Sequence, residues 1–133
     1  MVTSGKKYSV LIVDDDKFLL DMYALKFSEQ GFDVHTAFSG TDALAKLQAG
    51  SSKMDIILLD VVMPGVDGFD VLQEVKKNKL APQVKIIILS NLGAKEDIDK
   101  GMALGADGYI VKASATPSEV VKKVLEIIEL KHT

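Results

Sequence analysis

Acidic, hydroxyl and basic side chains follow four apolar runs in this sequence. Asp14 and Asp15 come after 8–13, Asp60 after 55–59, Ser90 after 84–89 and Lys112 after 108–111. Clustered carboxylates repel one another unless one is protonated or a cation binds, and carboxylate oxygens with water and phosphate are the usual environment of Mg²⁺. A carboxylate is also a nucleophile that forms an acyl phosphate, whose oxygens a lysine and a hydroxyl group stabilise. These residue types point to metal-assisted phosphoryl chemistry.

Each of these residues also has an ordinary structural interpretation. Asp16, at the end of the acidic run, is expected to cap the helix that follows, and an aspartate before a loop with Pro64 and Gly65 is typical of a turn. A serine at a strand end often bonds nearby backbone, and a single lysine is usually solvated. Local turn chemistry does not require four separate strands to deliver acids, a hydroxyl and a cation. The combination therefore favours a functional site.

Five short apolar runs predict the strands that position these residues: 8–13, 33–37, 55–59, 84–89 and 108–111. Three are apolar almost throughout, as is typical of parallel strands covered on both faces. Segments with helical periodicity lie between them, and the connections are short. Five successive βα units imply an α/β fold, a parallel sheet with helices on both faces joined by right-handed crossovers. Since ligands of such sheets bind at the carboxyl ends of the strands, the polar residues should meet there.

The sequence marks some helices more clearly than others. The first carries an apolar face formed by Leu19, Leu20, Tyr23 and Phe27. The last begins with a capping box of Thr116 and Glu119, with Pro117 at the first helical position. The fourth, 95–104, is the weakest amphipath, and Ile98 and Leu104 are its expected anchors.

Composition limits the classes to which the chain can belong. With 133 residues, 47% apolar and 26% charged, it suits one domain with its own core. A net charge of −3 and the lack of arginine argue against nucleic-acid binding. The polar start of the sequence lacks the apolar segment of a signal peptide, no run is long enough to span a membrane, and cysteine is absent. We expect a cytoplasmic protein without direct nucleic-acid or membrane contacts.

Four motifs, in order and at matching spacing, resemble the receiver domain of response regulators in two-component signalling. They are VLIVDDD at 10–16, LLDVVMPGVDG at 58–68, IILS at 87–90 and GADGYIVK at 105–112. The resemblance runs from about Tyr8 to Lys131, so we expect the domain at 8–131, between a polar tail at 1–7 and a short tail at 132–133. It implies a flavodoxin-like doubly wound sheet of five parallel strands in the order 2-1-3-4-5, with five helices.

The resemblance assigns a phosphoacceptor and a metal site. It implies that Asp60 takes the phosphoryl group, and that Asp14, Asp15, Asp60 and the backbone carbonyl of Val62 hold Mg²⁺. The donor would be a histidine kinase, a histidine phosphotransfer protein or a small acyl phosphate. The chain would not be a conventional enzyme; it would assist its own phosphorylation and dephosphorylation.

The resemblance also implies a switch. Ser90 would be the switch hydroxyl, Lys112 the phosphate-binding cation and Tyr109 the switch aromatic, which turns inward when Ser90 moves toward the phosphoryl group. Phosphorylation would then bias a two-state surface formed by the fourth helix, fifth strand and fifth helix, where a downstream partner binds.

One departure from the family, and two positions that in the family flank the phosphoacceptor, lead to predictions near the site. Ala113 follows Lys112, where the family usually has proline, often with a cis peptide bond; because a non-proline cis bond costs about 2.5–4 kcal/mol, the sequence predicts a trans peptide. The positions that flank the approach of water, two after Asp60 and two after Ser90, hold Val62 and Leu92. Since neither side chain orients water, we expect a long-lived phosphoryl group; simple packing of this pair, with ordinary hydrolysis, is the alternative.

The fifth helix predicts an interaction surface. Beyond its core stripe it carries Val120, Ile127 and Leu130, which suggests partner docking or a homodimer through the fourth and fifth helices. A broad core-facing stripe with scattered exposed apolar residues is the alternative interpretation.

Three other functions compete with a receiver. A phosphatase of the haloacid-dehalogenase type would use Asp14 and Asp16 as its Asp-x-Asp pair, but leaves Asp60 unexplained. A flavodoxin-type FMN protein needs hydrogen-bond donors after the first strand rather than acids, and an adaptor that works without phosphorylation has no need of the acidic set. His35 and His132 are interpreted as structural or solvated residues, not metal ligands.

Overall fold

The computed structural model describes residues 7–50 and 53–130, except for the side chain of Leu130. The predicted short tail at 132–133 with His132, and all but the last residue of the predicted tail at 1–7, lie outside the described residues.

Strands and helices alternate along the described residues. In chain order they are β1 Ser9–Val13, α1 Lys17–Glu29, β2 Asp33–Ala37, α2 Gly40–Ala49, β3 Ile56–Leu59, α3 Gly68–Asn78, β4 Lys85–Ser90, α4 Lys95–Ala103, β5 Gly108–Val111 and α5 Pro117–Leu130. A 3-10 turn, Lys112–Ser114, separates β5 from α5. The predicted strands are confirmed to within one residue at each end. The predicted fourth strand stops one residue early, because Ser90 still pairs with Val111 in the ladder.

The strands form one parallel sheet in the order β2-β1-β3-β4-β5, as expected from the resemblance. Strand order reverses between β1 and β3, which lie side by side in the sheet. The carboxyl ends of these two strands are therefore adjacent, and a loop that follows β1 meets a loop that follows β3.

Both faces of the sheet are covered by apolar layers. One face packs Leu11, Ile57 and Ile88 against residues of α2 and α3, and the other packs Ile12, Leu58 and Ile87 against residues of α1 and α5. All six side chains are at most 1% exposed. Burial of an aliphatic side chain contributes about 1.5–3 kcal/mol, so the continuous apolar runs of the sequence are what fix the strands in the middle layer.

Two helix caps confirm the sequence predictions. Asp16 caps α1, its carboxylate accepting a hydrogen bond of 3.1 Å from the Leu19 amide. At the start of α5 the Thr116 amide donates to the Glu119 carboxylate at 2.8 Å, and the Glu119 amide donates back to the Thr116 hydroxyl at 3.2 Å. Both α1 and α5 therefore begin where their first free backbone amides find side-chain oxygens.

The fifth helix corrects one prediction. Val120, expected on an outer apolar surface, is fully buried in the core against α1 and the sheet. Ile127 packs against the same core, and its side chain fills the space beside Gly108 of β5. The wide apolar stripe is therefore mainly core packing, because Val120 lies four residues before Val124 on the helix face that meets α1 and the sheet. The side chain of Leu130, the third residue of that prediction, lies outside the described part.

The fourth helix buries fewer of its residues than the other described α-helices do. Its N-cap, Ala94, provides no side-chain hydrogen bond, and Gly101 is its one buried residue. Leu104 packs partly against the core just beyond the helix, while Ile98 is only partly buried. Among the described helices, none has the length and apolarity needed to cross a bilayer.

Candidate functional site

Three carboxylates meet at the carboxyl edge of the sheet, as the sequence predicted. Asp14 directly follows β1 and Asp60 directly follows β3, and the Asp60 amide donates to the Val13 carbonyl at 3.0 Å, which holds the two loops together. One ligand oxygen each from Asp14, Asp15 and Asp60 lies within 4.8 Å of the others. Asp14 and Asp60 are only 2% and 6% exposed, whereas Asp15 faces solvent. Two buried acids and one exposed acid therefore form a pocket that opens to solvent.

Lys112 closes one side of this acidic cluster. Its Nζ atom lies 2.7 Å from Asp14 Oδ2 and 3.3 Å from Asp60 Oδ2, and its side chain is 9% exposed. Lys112 begins the 3-10 turn after β5, and the described chain contains no cis peptide, so the Lys112–Ala113 bond is trans, as predicted. The trans loop still delivers the lysine to the carboxylates.

Burial and charge shift the ionisation of this group. Burial raises the pKa of Asp60, the ammonium of Lys112 opposes that rise, and the charge of Asp14 adds to it. Burial alone would lower the pKa of Lys112, but the hydrogen bond to Asp14 and the charges of both carboxylates outweigh it, so the pKa of Lys112 is raised. Lys112 therefore stays cationic at neutral pH. When all three acids are ionised, one ammonium leaves the cluster with a net negative charge.

This cluster suits a hard divalent cation. All of its donor atoms are carboxylate oxygens, which Mg²⁺ prefers to nitrogen or sulfur. The Val62 amide donates to Asp60 Oδ1 at 3.3 Å, so the backbone of Val62 lies beside the same carboxylate. The second oxygen of Asp14 accepts from the Asp16 amide at 2.9 Å, which fixes the orientation of that carboxylate. An oriented set of acids with solvent access fits the metal that the resemblance implies.

Ser90 and Tyr109 form a second group at the same edge. The Ser90 hydroxyl, fully buried at the end of β4, accepts from the Leu92 amide at 3.2 Å. The Tyr109 hydroxyl donates to the Leu92 carbonyl at 2.6 Å. Burial raises the pKa of Tyr109, and the charge of Asp97 adds to the effect. A side-chain hydrogen bond with Ser90 opposes that rise in pKa, so Ser90 and Tyr109 interact directly as well as through Leu92.

Two residues at the site, Gly68 and Tyr23, were given no site role in the sequence analysis. Gly68, the first residue of α3, lies so close to Asp60 that a Cβ atom there would be 2.2 Å from the Asp60 carbonyl oxygen. Tyr23, predicted as core, is also near the charges: burial raises its pKa, Lys112 opposes the rise, and Asp14 and Asp60 add to it. The glycine followed a helix-capping aspartate in the sequence, a signal that could have drawn attention to it. The position of Tyr23 had no local signal.

Further contacts bear on the phosphatase alternative and on the role of His35. The carboxylate of Asp16 is engaged in capping α1, so it is not directed to the cluster as the Asp-x-Asp pair of a phosphatase requires. His35 lies on the edge strand β2 with Nε2 3.3 Å from the carboxylate of Asp33, which agrees with a structural role.

The sequence matches the response regulator receiver domain over residues 10–125. The chain therefore belongs to the response regulator receiver family of two-component signalling. Among curated relatives, it is 36% identical over 117 residues to the regulatory protein VanRc of Enterococcus gallinarum, covering 86% of this chain and 47% of VanRc. It is 35% identical over 126 residues to the chemotaxis protein CheY of Treponema pallidum, covering 94% of this chain and 83% of that protein. The chain thus spans about half the length of VanRc and most of that CheY.

Solved structures agree with this family. Chemotaxis protein CheY4 of Vibrio cholerae superposes with a TM-score of 0.82 at 30% identity, covering 92% of this chain and 99% of CheY4. The CheX–CheY–BeF3–Mg²⁺ complex from Borrelia burgdorferi gives a TM-score of 0.84 at 28% identity, covering 94% of this chain and 92% of the matched chain. The fold and the acidic cluster are therefore those of a receiver domain, a class of phosphoacceptor signalling domains rather than conventional enzymes.

Proposed function

We propose that Asp60 accepts a phosphoryl group from a histidine kinase, a histidine phosphotransfer protein or a small acyl phosphate, in a reaction that requires Mg²⁺. The observation that carries this proposal is the buried Asp60 carboxylate, which lies beside two further acids and 3.3 Å from the ammonium of Lys112. A carboxylate Oδ atom of Asp60 forms the new bond to phosphorus. The bond from phosphorus to the donor nitrogen or oxygen breaks, and the donor leaves with the electron pair.

The acids would hold the metal. Asp14, Asp15, Asp60 and the backbone carbonyl of Val62 are the proposed ligands, supported by the oxygen cluster and by the position of the Val62 backbone. When bound, Mg²⁺ supplies positive charge that offsets the repulsion between these carboxylates and an incoming phosphoryl group. The chain's own contribution is to orient Asp14 through the Asp16 amide and to keep Asp60 shielded by its loop.

Lys112 and Ser90 would contact the phosphoryl oxygens. Lys112 is already charged and in place, so its ammonium stabilises the charge of the acyl phosphate without a large rearrangement. The Ser90 hydroxyl is hydrogen-bonded to the Leu92 amide and to Tyr109, and it would turn its proton toward an oxygen of the phosphoryl group when one is bound. Because Leu92 also accepts from Tyr109, a shift of this loop would reach the ring of Tyr109 and the α4–β5–α5 surface, where a downstream protein partner would bind.

A mass measurement tests the proposal directly. Wild-type protein incubated with acetyl phosphate and Mg²⁺ is expected to gain the mass of one phosphoryl group, because the cation screens the acidic cluster from the anionic donor. The same incubation with excess chelator is the control and should give no more than a tenth of that labelling. Equal labelling with and without chelator would show that the metal has no part in the reaction.

A second prediction concerns the lifetime of the acyl phosphate. The double variant Val62→Asn, Leu92→Glu is expected to lose the phosphoryl group several-fold faster than wild type, because polar groups at these positions orient an attacking water molecule. Val62 is 58% exposed beside Asp60, so a side chain there can reach water at the site. The decay of labelled protein after donor removal is the measurement, and Leu25→Asn, at another exposed apolar position, is the control. Decay equal to or slower than that of wild type would contradict the prediction.

A further inference from the structure

Helix α4 depends on a small number of contacts for its position. It has no side-chain N-cap, and its one buried residue is a glycine. The ion pair between Lys95 and Asp99, 2.7 Å long, joins two exposed side chains of the helix to each other. Such surface pairs contribute little and do not attach the helix to the domain. The contacts that α4 makes with its neighbours therefore determine where it lies.

One of these contacts is a cation–π interaction with α3. Lys100 Nζ lies 4.4 Å from the centroid of the Phe69 ring. Phe69 is 6% exposed and belongs to the core layer between the sheet and α3. It occupies the first turn of α3, which a capping box of Asp67 and Asp70 holds in place. An exposed lysine of α4 thus contacts a buried ring of α3.

The first turn of α3 is itself in direct contact with the acidic cluster. Gly68 precedes Phe69, and a Cβ atom at position 68 would lie 2.2 Å from the carbonyl oxygen of Asp60 and 2.7 Å from Val61 Cα. The Gly68 amide also donates to the Val61 carbonyl at 3.0 Å. Because close-packed groups transmit displacement, a movement of the Asp60 backbone moves the turn that carries Phe69.

A separate set of contacts reaches the neighbouring residue of α4. A Cβ atom at Gly101 would lie 2.6 Å from Ile88 Cδ1 and 3.2 Å from the Tyr109 ring, so the ring rests against the backbone of α4. Tyr109 is bonded in turn to the Leu92 carbonyl next to Ser90. Two separate chains of contacts therefore lead from the carboxyl edge of the sheet to α4. One reaches Lys100 through Phe69 of α3, and the other reaches Gly101 through Tyr109 of β5.

We propose that the Lys100–Phe69 contact is a latch, which holds α4 against α3 and makes its position sensitive to the backbone of Asp60. The latch acts beside the Ser90–Tyr109 group and independently of it, through α3 rather than through the loop after β4. That the latch responds to a phosphoryl group rests on the proposed function of Asp60; that it holds α4 does not.

Amide hydrogen exchange of α4, without any phosphodonor, tests the holding role. Lys100→Met keeps most of the side-chain length but removes the charge, and Phe69→Leu keeps an apolar core residue but removes the ring. Each is expected to speed exchange of the α4 amides about twofold to fivefold, the range that a partly exposed cation–π contact gives. Lys100→Arg, which preserves the interaction, should exchange as wild type does, and Lys95→Met is the matched control on the same helix.

The double variant separates the latch from other effects of these residues. Lys100 also lies in the last turn of α4, where a positive charge is favourable by itself, and Phe69→Leu leaves that effect intact. If the latch exists, the double variant exchanges more slowly than the product of the two single effects predicts, because both substitutions remove the same contact. Exchange in Lys100→Met equal to that in Lys95→Met would overturn the proposal, and so would single effects that multiply in the double variant.

The coupling to Asp60 is measured by repeating the exchange with Mg²⁺ and acetyl phosphate. In wild type the exchange of α4 amides is expected to change on labelling, and in Lys100→Met the change should be at least halved. An equal change in both proteins would overturn the coupling. If wild type takes up no phosphoryl group, the proposed function of Asp60 fails, while the exchange measured without donor still decides whether Lys100 holds α4.

Discussion

Asp60→Asn is expected to take up no phosphoryl group from acetyl phosphate and Mg²⁺, and to be more stable than wild type in chelator at neutral pH. The first effect follows because an amide oxygen is too weak a nucleophile to replace the carboxylate. The second follows because Asp60 is buried beside Asp14, and burial raises its pKa. The gain in the free energy of unfolding should be about 1–3 kcal/mol, the cost of a buried polar group without full compensation. Lys112 stays paired in the variant, because its ion pair with Asp14 at 2.7 Å is kept.

The stability difference should depend on pH in one direction. The folded protein binds the Asp60 proton more tightly than the unfolded chain does, because the pKa of Asp60 is raised on folding. The stability of wild type therefore falls as pH rises from the unfolded pKa, near 3.9, through the folded pKa. Below that window both proteins carry a neutral side chain at position 60, so their stabilities converge. Urea unfolding of both proteins from about pH 3 to pH 8 gives the two curves.

Asp16→Asn is the matched control for both effects. It changes an aspartate that lies outside the acidic cluster of Asp14, Asp15 and Asp60, and asparagine can cap α1 as the Asp16 side chain does. This variant should be labelled as wild type is and should show no gain in stability. Full labelling of Asp60→Asn would exclude Asp60 as the phosphoacceptor, and stability that rose with pH relative to the variant would contradict the electrostatic argument.

The sequence predicted the fold closely because its strongest signals are those of buried strands. Runs such as Ile86, Ile87 and Ile88 are apolar on both sides, and in the structure all three are fully buried between two helical layers. Asp14 and Asp60 were predictable for a related reason: each directly follows such a run, so the sheet determines where it lies. A polar residue whose position is set by the main chain of a buried strand can be placed from sequence.

Other features depend on packing between distant segments and could not be read in the same way. The contact between Tyr109 and Leu92 joins β5 to the loop after β4, and the contact between Lys100 and Phe69 joins α4 to α3. Helical periodicity gives the buried face of each helix but not which side chains of another segment that face meets.

Gly68 shows how a residue without a functional group can be essential to the site. Gly68→Ala is expected to destabilise the protein by about 3 kcal/mol and to lower the rate of phosphoryl uptake by roughly tenfold or more. A Cβ atom at 2.2 Å from the Asp60 carbonyl oxygen and 2.7 Å from Val61 Cα meets backbone on both sides, so no side-chain rotation can relieve it. Either α3 or the Asp60 loop must move, and the loop carries the carboxylate.

Gly93→Ala provides the comparison. A Cβ atom there would meet Val111 Cγ1 at 3.2 Å, a side-chain methyl group that can shift by a few tenths of an ångström. Its cost should stay below about 1 kcal/mol, although Gly93 also lies in a loop at the same edge of the sheet. Urea unfolding gives the stabilities, and the rate of mass gain with acetyl phosphate and Mg²⁺ gives the activity.

Equal losses in the two variants would mean that any side chain added at this edge is harmful. A larger loss in Gly68→Ala, in both measurements, is the result that close packing of α3 on the Asp60 backbone requires, because only at position 68 does the added carbon displace the main chain of the phosphoacceptor.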